Sequence, residues 1–337
     1  MNAKRTTEFK RNPYLEQLLT EINQLLTPVE EKLAAAYRMP QFPVVIIVGA
    51  PRCGSTIMMQ WLAATACFAY PTNLLSRFYN CPAVGAKIQR LLTDPKYNFN
   101  DEILDFSQNK LSFTSNLGKT NGALAPNEFW YFWRRFIPNI EPEYLDKTSL
   151  GKIDGVKLCG ELAALESVLE KPLALKGHIL EFNLTFLASL LEKVLFVYIK
   201  REPVYNIQSL LEARKRYYGS VDAWYSVKPK EYEWLKNLTP VEQVAGQVYY
   251  TNHTIEQDLQ IIDDAKSLAV SYESFCSSPI TVFEQIKQKF SAQGCAVTWE
   301  YHGPAQFETT NQIRLSPQEV DEISNAYSKL SGQPIKM

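Results

Sequence analysis

The chain is poor in the residues that most often announce a function. Only 3 histidines are spread over 337 residues, and the 6 cysteines (Cys53, Cys67, Cys81, Cys159, Cys276, Cys295) form neither a C-x-x-C pair nor a Cys/His group at zinc spacing. A zinc module and a disulfide scaffold are thereby excluded, and no metal is expected. An excess of charge is missing too. With 35 basic and 36 acidic side chains the net charge is −1, and Lys and Arg are scattered, so no nucleic-acid surface or basic membrane patch is expected. No apolar run reaches the length of a membrane span, and the N-terminal stretch MNAKRTTEFKRNPYLEQLL has no continuous apolar core of signal-peptide length. A soluble, cytoplasmic protein is therefore predicted. Internal repeats and low-complexity segments are lacking as well, and the length suits one α/β domain over 1–337 better than two equal ones.

What is present centres on Val44–Trp61, VVIIVGAPRCGSTIMMQW. Val44 to Val48 are β-branched throughout with no polar alternation, as in a strand of a parallel sheet buried on both faces. Gly49 and Gly54 allow backbone angles that turn successive N–H groups inward, and a helix from about Ser55 adds its unpaired N–H groups and positive dipole end. Such a strand-loop-helix is an anion cradle. The segment Gly49-Ala50-Pro51-Arg52-Cys53-Gly54-Ser55-Thr56 has the glycine spacing of a Walker A loop, but Ser55 stands where that loop has its Lys, and the loop cation is Arg52. Cys53, beside Arg52 at a helix N-terminus, reads either as a thiol more acidic and reactive than the others or as simply a small loop residue.

The rest of the chain reads as support for this loop. Pro13 to Tyr37 is read as two covering helices interrupted near Thr27-Pro28, giving a helical extension over 1–40. Cys67 to Pro71 reads as an edge strand, and Ser76 and Arg77 as either site contacts or an ordinary helix start. Residues 81–154 are the least regular, with turn signals at Asn98–Asn100, Ser115–Asn121 and Pro138–Pro142, as expected of an insertion closing over a site. Within it, Asn127–Phe136 concentrates rings and guanidinium groups that suit either stacking on an acceptor or burial of an aromatic helix face. A helix at Gly160–Glu170, a strand at Pro172–Lys176, a helix at Phe182–Lys193 and a strand at Val194–Ile199 form a parallel crossover unit. Helices at Val204–Arg216, Val241–Leu259 and Pro317–Leu330, with a strand at Leu268–Tyr272, complete an α/β sheet flanked by helices. Strand C-terminal edges are where such sheets place ligands. Arg201 lies at that edge, with Ser209 two helical turns beyond, and His178 alone among the histidines follows a predicted core strand; His253 and His302 do not.

The loop, with Pro51, Arg52 and Gly54-Ser55-Thr56, resembles the 5′-phosphosulfate loop of sulfotransferases. Arg201-x-Pro203 followed by Ser209 resembles their 3′-phosphate motif. The resemblance covers Val44 to Phe275 and implies a three-layer P-loop NTPase-like fold that binds 3′-phosphoadenosine-5′-phosphosulfate (PAPS) and releases adenosine 3′,5′-bisphosphate. By the same resemblance Pro51, Arg52, Cys53, Gly54, Ser55, Thr56, Arg201, Ser209 and Tyr272 would contact the donor. Lys176-Gly177-His178 resembles the Lys-Thr-His of cytosolic sulfotransferases, which assigns His178 as base, Lys176 as a cation near the bridging oxygen and Arg52 as the loop cation. Carbohydrate sulfotransferases often use Glu instead, which keeps Glu128 and Glu161 as alternatives. Two departures stand out: Ile57 replaces a Trp that sandwiches adenine, and no Arg-Lys-Gly motif is present, its place being given to Thr309–Arg314. The expected acceptor is a carbohydrate, glycolipid or small metabolite. A nucleotide-dependent kinase and a non-catalytic nucleotide-binding protein are the alternatives.

Overall fold

The computed structural model describes residues 4–100, 102, 112–137 and 143–332, so the turn expected at Pro138–Pro142 lies outside the described residues. Four strands, β1 (Val44–Val48), β2 (Ala174–Lys176), β3 (Val194–Lys200) and β4 (Ser267–Ser271), form one parallel sheet in the order β2-β1-β3-β4. Strand β1 is central, and all five of its side chains are fully buried. Its alternate residues feed different cores: Val44, Ile46 and Val48 pack into one apolar cluster, Val45 and Ile47 into the other. Each such side chain is worth roughly 1.5–3 kcal/mol of burial, so the uninterrupted apolar run specifies a strand covered on both faces. This is the three-layer α/β arrangement expected from the sequence.

The principal helices are α1 (Pro13–Ala34), α2 (Ser55–Ala64), α3 (Pro82–Thr93), α4 (Trp130–Arg134), α5 (Gly155–Leu169), α6 (Leu184–Leu190), α7 (Pro203–Tyr218), α8 (Pro240–Ile261), α9 (Tyr272–Ser277), α10 (Pro279–Ala292) and α11 (Pro317–Ser331). Helix α2 springs from β1 and α7 from β3, so both helix N-termini open on the same sheet edge. A third apolar cluster joins α7, α8 and α11 around Ile207, Val248 and Ile323. No helix among the described residues is long and apolar enough to cross a membrane.

Three local expectations are corrected. The N-terminal pair of helices is one helix, with Pro28 inside it. Tertiary contacts on either side of the proline outweigh its missing N–H: buried Asn23 bonds the backbone of Arg77 and Asn80, and the buried Glu30 carboxylate accepts from the first N–H groups of α3, at Ala83 and Val84. Residues 67–71 contribute a single bridge, Ala69 to Leu173, rather than a strand. Tyr272 opens α9 instead of ending β4, because Ser271 caps that helix by accepting from the Ser274 N–H at 3.0 Å.

Candidate active site

The loop after β1 is shaped by what its glycines touch. A Cβ on Gly49 (φ +150°) would lie 2.3 Å from the carbonyl oxygen of Ile199, and one on Gly54 (φ +107°) 2.5 Å from the Tyr272 ring. Side chains are excluded at both positions by space and by backbone angle. Arg52 also adopts left-handed geometry (φ 71°), which costs a non-glycine residue about 1 kcal/mol or more. Two bonds hold it there: its Nε donates to Ser209 Oγ at 3.2 Å, and its carbonyl accepts from Arg201 Nη1 at 3.2 Å. The sequence-predicted loop and β3-end residues thus meet.

Arg201 is the hub of this side. It is 7% exposed and lies 4.9 Å from the Tyr272 ring centroid, while its Nε and Nη2 donate to Asn311 Oδ1 (2.8 Å) and to the carbonyl and hydroxyl of Thr310 (3.0 and 3.1 Å). Tyr272 is tied to the same Thr310, whose N–H donates to the phenol oxygen at 3.2 Å. The segment Thr309–Arg314, singled out by position, is therefore brought against Arg201 through Thr310 and Asn311. Arg314 turns away to a bidentate pair with Glu212. Burial lowers the affinity of Arg201 for its proton, and among the described residues no carboxylate lies within bonding distance of its guanidinium. The groups it donates to are neutral acceptors, and its charge is offset at longer range by Glu273.

The second cluster gathers at the end of β2. His178 Nε2 lies 3.2 Å from Ser55 Oγ, the first residue of α2, and His178 Nδ1 lies 3.2 Å from Glu181 Oε2. Glu181 is fully buried, and burial pushes its carboxyl up while the His178 ring draws it down. In the tautomer that places the Nδ1 proton toward Glu181, Nε2 keeps its lone pair for a donor on the loop side. Lys176, 4% exposed, donates to Thr56 Oγ1 at 2.7 Å and to Glu128 Oε1 at 3.0 Å. Burial alone would raise the Glu128 carboxyl. The Lys176 cation, His178 and the bonded Trp130 indole overcome it and hold the group at about 2. Residues of the stretch 112–118 lie beside α2 and this cluster: Gln60 of α2 donates to the carbonyls of Ser112 and Thr114, and Gly118 passes so near that a Cβ there would lie 3.1 Å from Glu128 Oε1.

Several expectations are corrected by the structure. Cys53 is not an acidic thiol: it is fully buried beneath the loop, and desolvation pushes it up to about 11. Glu161 is unavailable as a base, because it is 2% exposed and held bidentately by Arg135 at 2.7 Å. Most of the aromatic stretch is core, with Phe129, Phe132, Trp133 and Phe136 buried and Phe129 stacked on Phe132 at 4.6 Å; Trp130 bonds into the site through Glu128. Ser76 and Arg77 sit in a 3-10 turn where the Ser76 hydroxyl bonds Asn73, and neither is bonded to the loop among the described residues. His253 stacks on Tyr249, and His302 is exposed beside Glu300. Glu181 and Asn206, whose amide bonds the Pro51 carbonyl, were missed. The only signal for Glu181 was its spacing of three residues from His178.

The sheet edge, the lysine-free anion loop and the arginine at the neighbouring strand end define the class: a P-loop-like α/β protein. The family follows from sequence comparison. A model described as "Sulfotransferase family" matches residues 43–292, and the chain belongs to that family. Among solved structures, sulfotransferase STF9 from Mycobacterium avium is similar at TM-score 0.52 and 14% identity, covering 95% of this chain and 86% of that one. STF1 from Mycobacterium tuberculosis H37Rv gives 0.49 and 13%, covering 91% and 82%. The sulfotransferase domain from the Curacin biosynthetic pathway gives 0.41 and 16%, covering 89% and 94%. At these identities the likeness is one of fold. A search of curated proteins found no match.

Proposed function

We propose that this sulfotransferase moves the sulfuryl group of PAPS to a hydroxyl or amine of a carbohydrate, glycolipid or small metabolite, with His178 as the base. The reading rests on one juxtaposition: His178 Nε2 is bonded to Ser55 at the first turn of α2, with Lys176 on the neighbouring Thr56 and Arg201 behind the same loop.

The residues present fit the donor. The glycine loop and α2 N-terminus suit its phosphosulfate, and Arg201 with Ser209 suits a 3′-phosphate through charge-assisted bonds. His178 Nε2 takes the acceptor proton as the acceptor oxygen or nitrogen bonds to sulfur. The sulfur–oxygen bond to the 5′-phosphate breaks, and the charge left on adenosine 3′,5′-bisphosphate is met by Lys176, Arg52 and loop N–H groups. Buried Glu181 keeps the ring oriented and stabilises the imidazolium that forms. Glu128 holds Lys176 beside Thr56, where its ammonium would supply charge to the donor's bridging oxygen. These cations and N–H groups supply the charge stabilisation, and no metal is part of the proposal.

The test is incubation of the protein with sulfur-labelled PAPS, or with phosphorus-labelled ATP, across sugars, glycolipids and small alcohols and amines, with mass-spectrometric detection. Acceptor sulfation is expected; phosphate transfer from ATP would indicate a kinase, and binding without transfer a non-catalytic protein.

A further inference from the structure

At the Arg201–Glu202 strand end lies a cavity of about 860 Å³, bounded by the ends of β3 and β4 and by α8 and α11 and lined by no residue of the anion loop. It exists because β4 is the edge strand of the sheet: α8 packs against α6, α7 and α11 and leaves the exposed side chains of Ala269 and Ser271 uncovered. Nothing in the sulfuryl-transfer reading uses this space. Its volume is within the range, about 300–1,000 Å³, of small-molecule sites.

Its lining has a distinctive chemistry. Tyr249 and His253, one turn apart on α8, stack on one another at 5.6 Å with an interplanar angle of 8°, and both line the cavity. Between them in sequence Asn252, 3% exposed, has no partner for either its amide oxygen or its amide nitrogen among the described residues. Leaving a buried amide unpaired costs about 1–3 kcal/mol, so a group that both donates and accepts is wanted beside it. The charges cancel locally. Lys200 is bonded to Glu256 at 2.6 Å, the Tyr198 hydroxyl donates to the same carboxylate at 3.0 Å, and the Arg201 guanidinium is directed away to Arg52, Thr310 and Asn311. The lining also holds the phenol of Tyr327, which burial pushes up to about 12 and so keeps as a neutral hydroxyl, and the carboxylates of Glu202 and Glu273, the latter accepting from Asn311 Nδ2 and the Glu202 N–H. These two carboxylates disfavour anions, and the Lys200 ammonium is already compensated by Glu256. The wall offers interleaved donors and acceptors beside stacked aromatic rings.

We propose that this cavity binds a neutral polyhydroxylated ligand of mono- or disaccharide size, its ring against Tyr249–His253 and its hydroxyls satisfying Asn252. Aromatic stacking and paired hydroxyl bonds are the forces that hold an uncharged sugar, and both are laid out on one helix face. The site is separate from the acceptor position at His178 and does not depend on the transfer reaction.

Saturation-transfer NMR on the full chain, with glucose, maltose and trehalose as neutral probes and choline and glucose 6-phosphate as charged ones, tests the proposal. At least one neutral sugar is expected to bind in the millimolar range. Asn252→Leu and His253→Ala are each expected to weaken it by about tenfold or more, and His178→Ala to leave it unchanged. His253 is on the exposed side of α8, so its variant keeps the test open if Asn252→Leu does not fold. No sugar signal at tens of millimolar, binding of the charged probes alone, or sugar binding that survives both cavity variants would each overturn the proposal. So would a signal lost only in His178→Ala, which would place the sugar at the acceptor position.

Discussion

The two halves of the candidate active site are built differently. Around Arg201 a guanidinium is fixed by neutral acceptors: the Arg52 and Thr310 carbonyls, the Thr310 hydroxyl and the Asn311 amide. Around His178 the groups are held by one another, in the pairs His178–Glu181 and Lys176–Glu128. A cation surrounded by neutral acceptors is suited to a permanent anion. Paired titratable groups are suited to a step in which a proton and a charge move. The first half reads as a binding site and the second as a reacting one.

The largest effect should separate the halves outright. His178→Ala is expected to lower transfer about 10³-fold while changing the affinity for adenosine 3′,5′-bisphosphate less than about twofold by calorimetry. Parallel loss of both would make His178 structural and erase the distinction. The converse variant, Arg201→Ala, removes charge-assisted bonds worth about 1.5–3 kcal/mol each, so the same bisphosphate should bind about 10- to 100-fold more weakly, with ATP affected much less. Equal weakening of the two nucleotides would deny Arg201 its 3′-phosphate.

A smaller effect sharpens the electrostatics of the reacting half. The Glu128 carboxyl is held at about 2, below its ordinary 4.5. Its contribution to stability is therefore full above pH 4.5 and is lost as the pH falls toward 2. Allowing for a side chain 27% exposed, that contribution is on the order of 2 kcal/mol. In denaturation midpoints between pH 5 and 2, Glu128→Gln should show a shallower decline than the parent; identical slopes would mean that the Lys176 pair does not persist in solution. The smallest effect concerns Cys53, whose thiol is fully buried and pushed up to about 11. At pH 8 a maleimide probe should label the half-buried Cys67 and Cys295 well before Cys53, as read by peptide mass spectrometry. Rapid labelling of Cys53 would show that the loop opens.

The same division decided what could be read from the sequence. The parallel sheet, the loop, Arg201 with Ser209, and His178 at a strand end were legible because each follows from a local pattern: a β-branched run, two glycines, or a polar residue just past a strand. Glu181 was not, since a buried carboxylate in a turn has no periodicity to announce it. Glu128 was singled out only as a weak candidate because its partner, Lys176, is 48 residues away in the chain. The two readings of Cys53 are separated only by packing: helix N-terminus and neighbouring Arg52 are sequence-local, whereas the thiol is buried in the apolar cluster that includes Leu195, Val197 and Ile199 of β3. Pro28 shows tertiary bonding overriding a local breaker.

The register of the central strands has a metrical consequence. Val48 is paired with Tyr198, so the anion loop and the Arg201 corner start from neighbouring strand ends, and the carbonyl of Ile199 fills the space where Gly49 would carry a side chain. Adjacent strands run about 4.8 Å apart and do not slide past one another. The sheet itself is thus a calliper: any ligand gripped by both corners has the separation of its two anionic groups measured against a fixed interval of backbone, and one with the right charges at the wrong spacing cannot satisfy both.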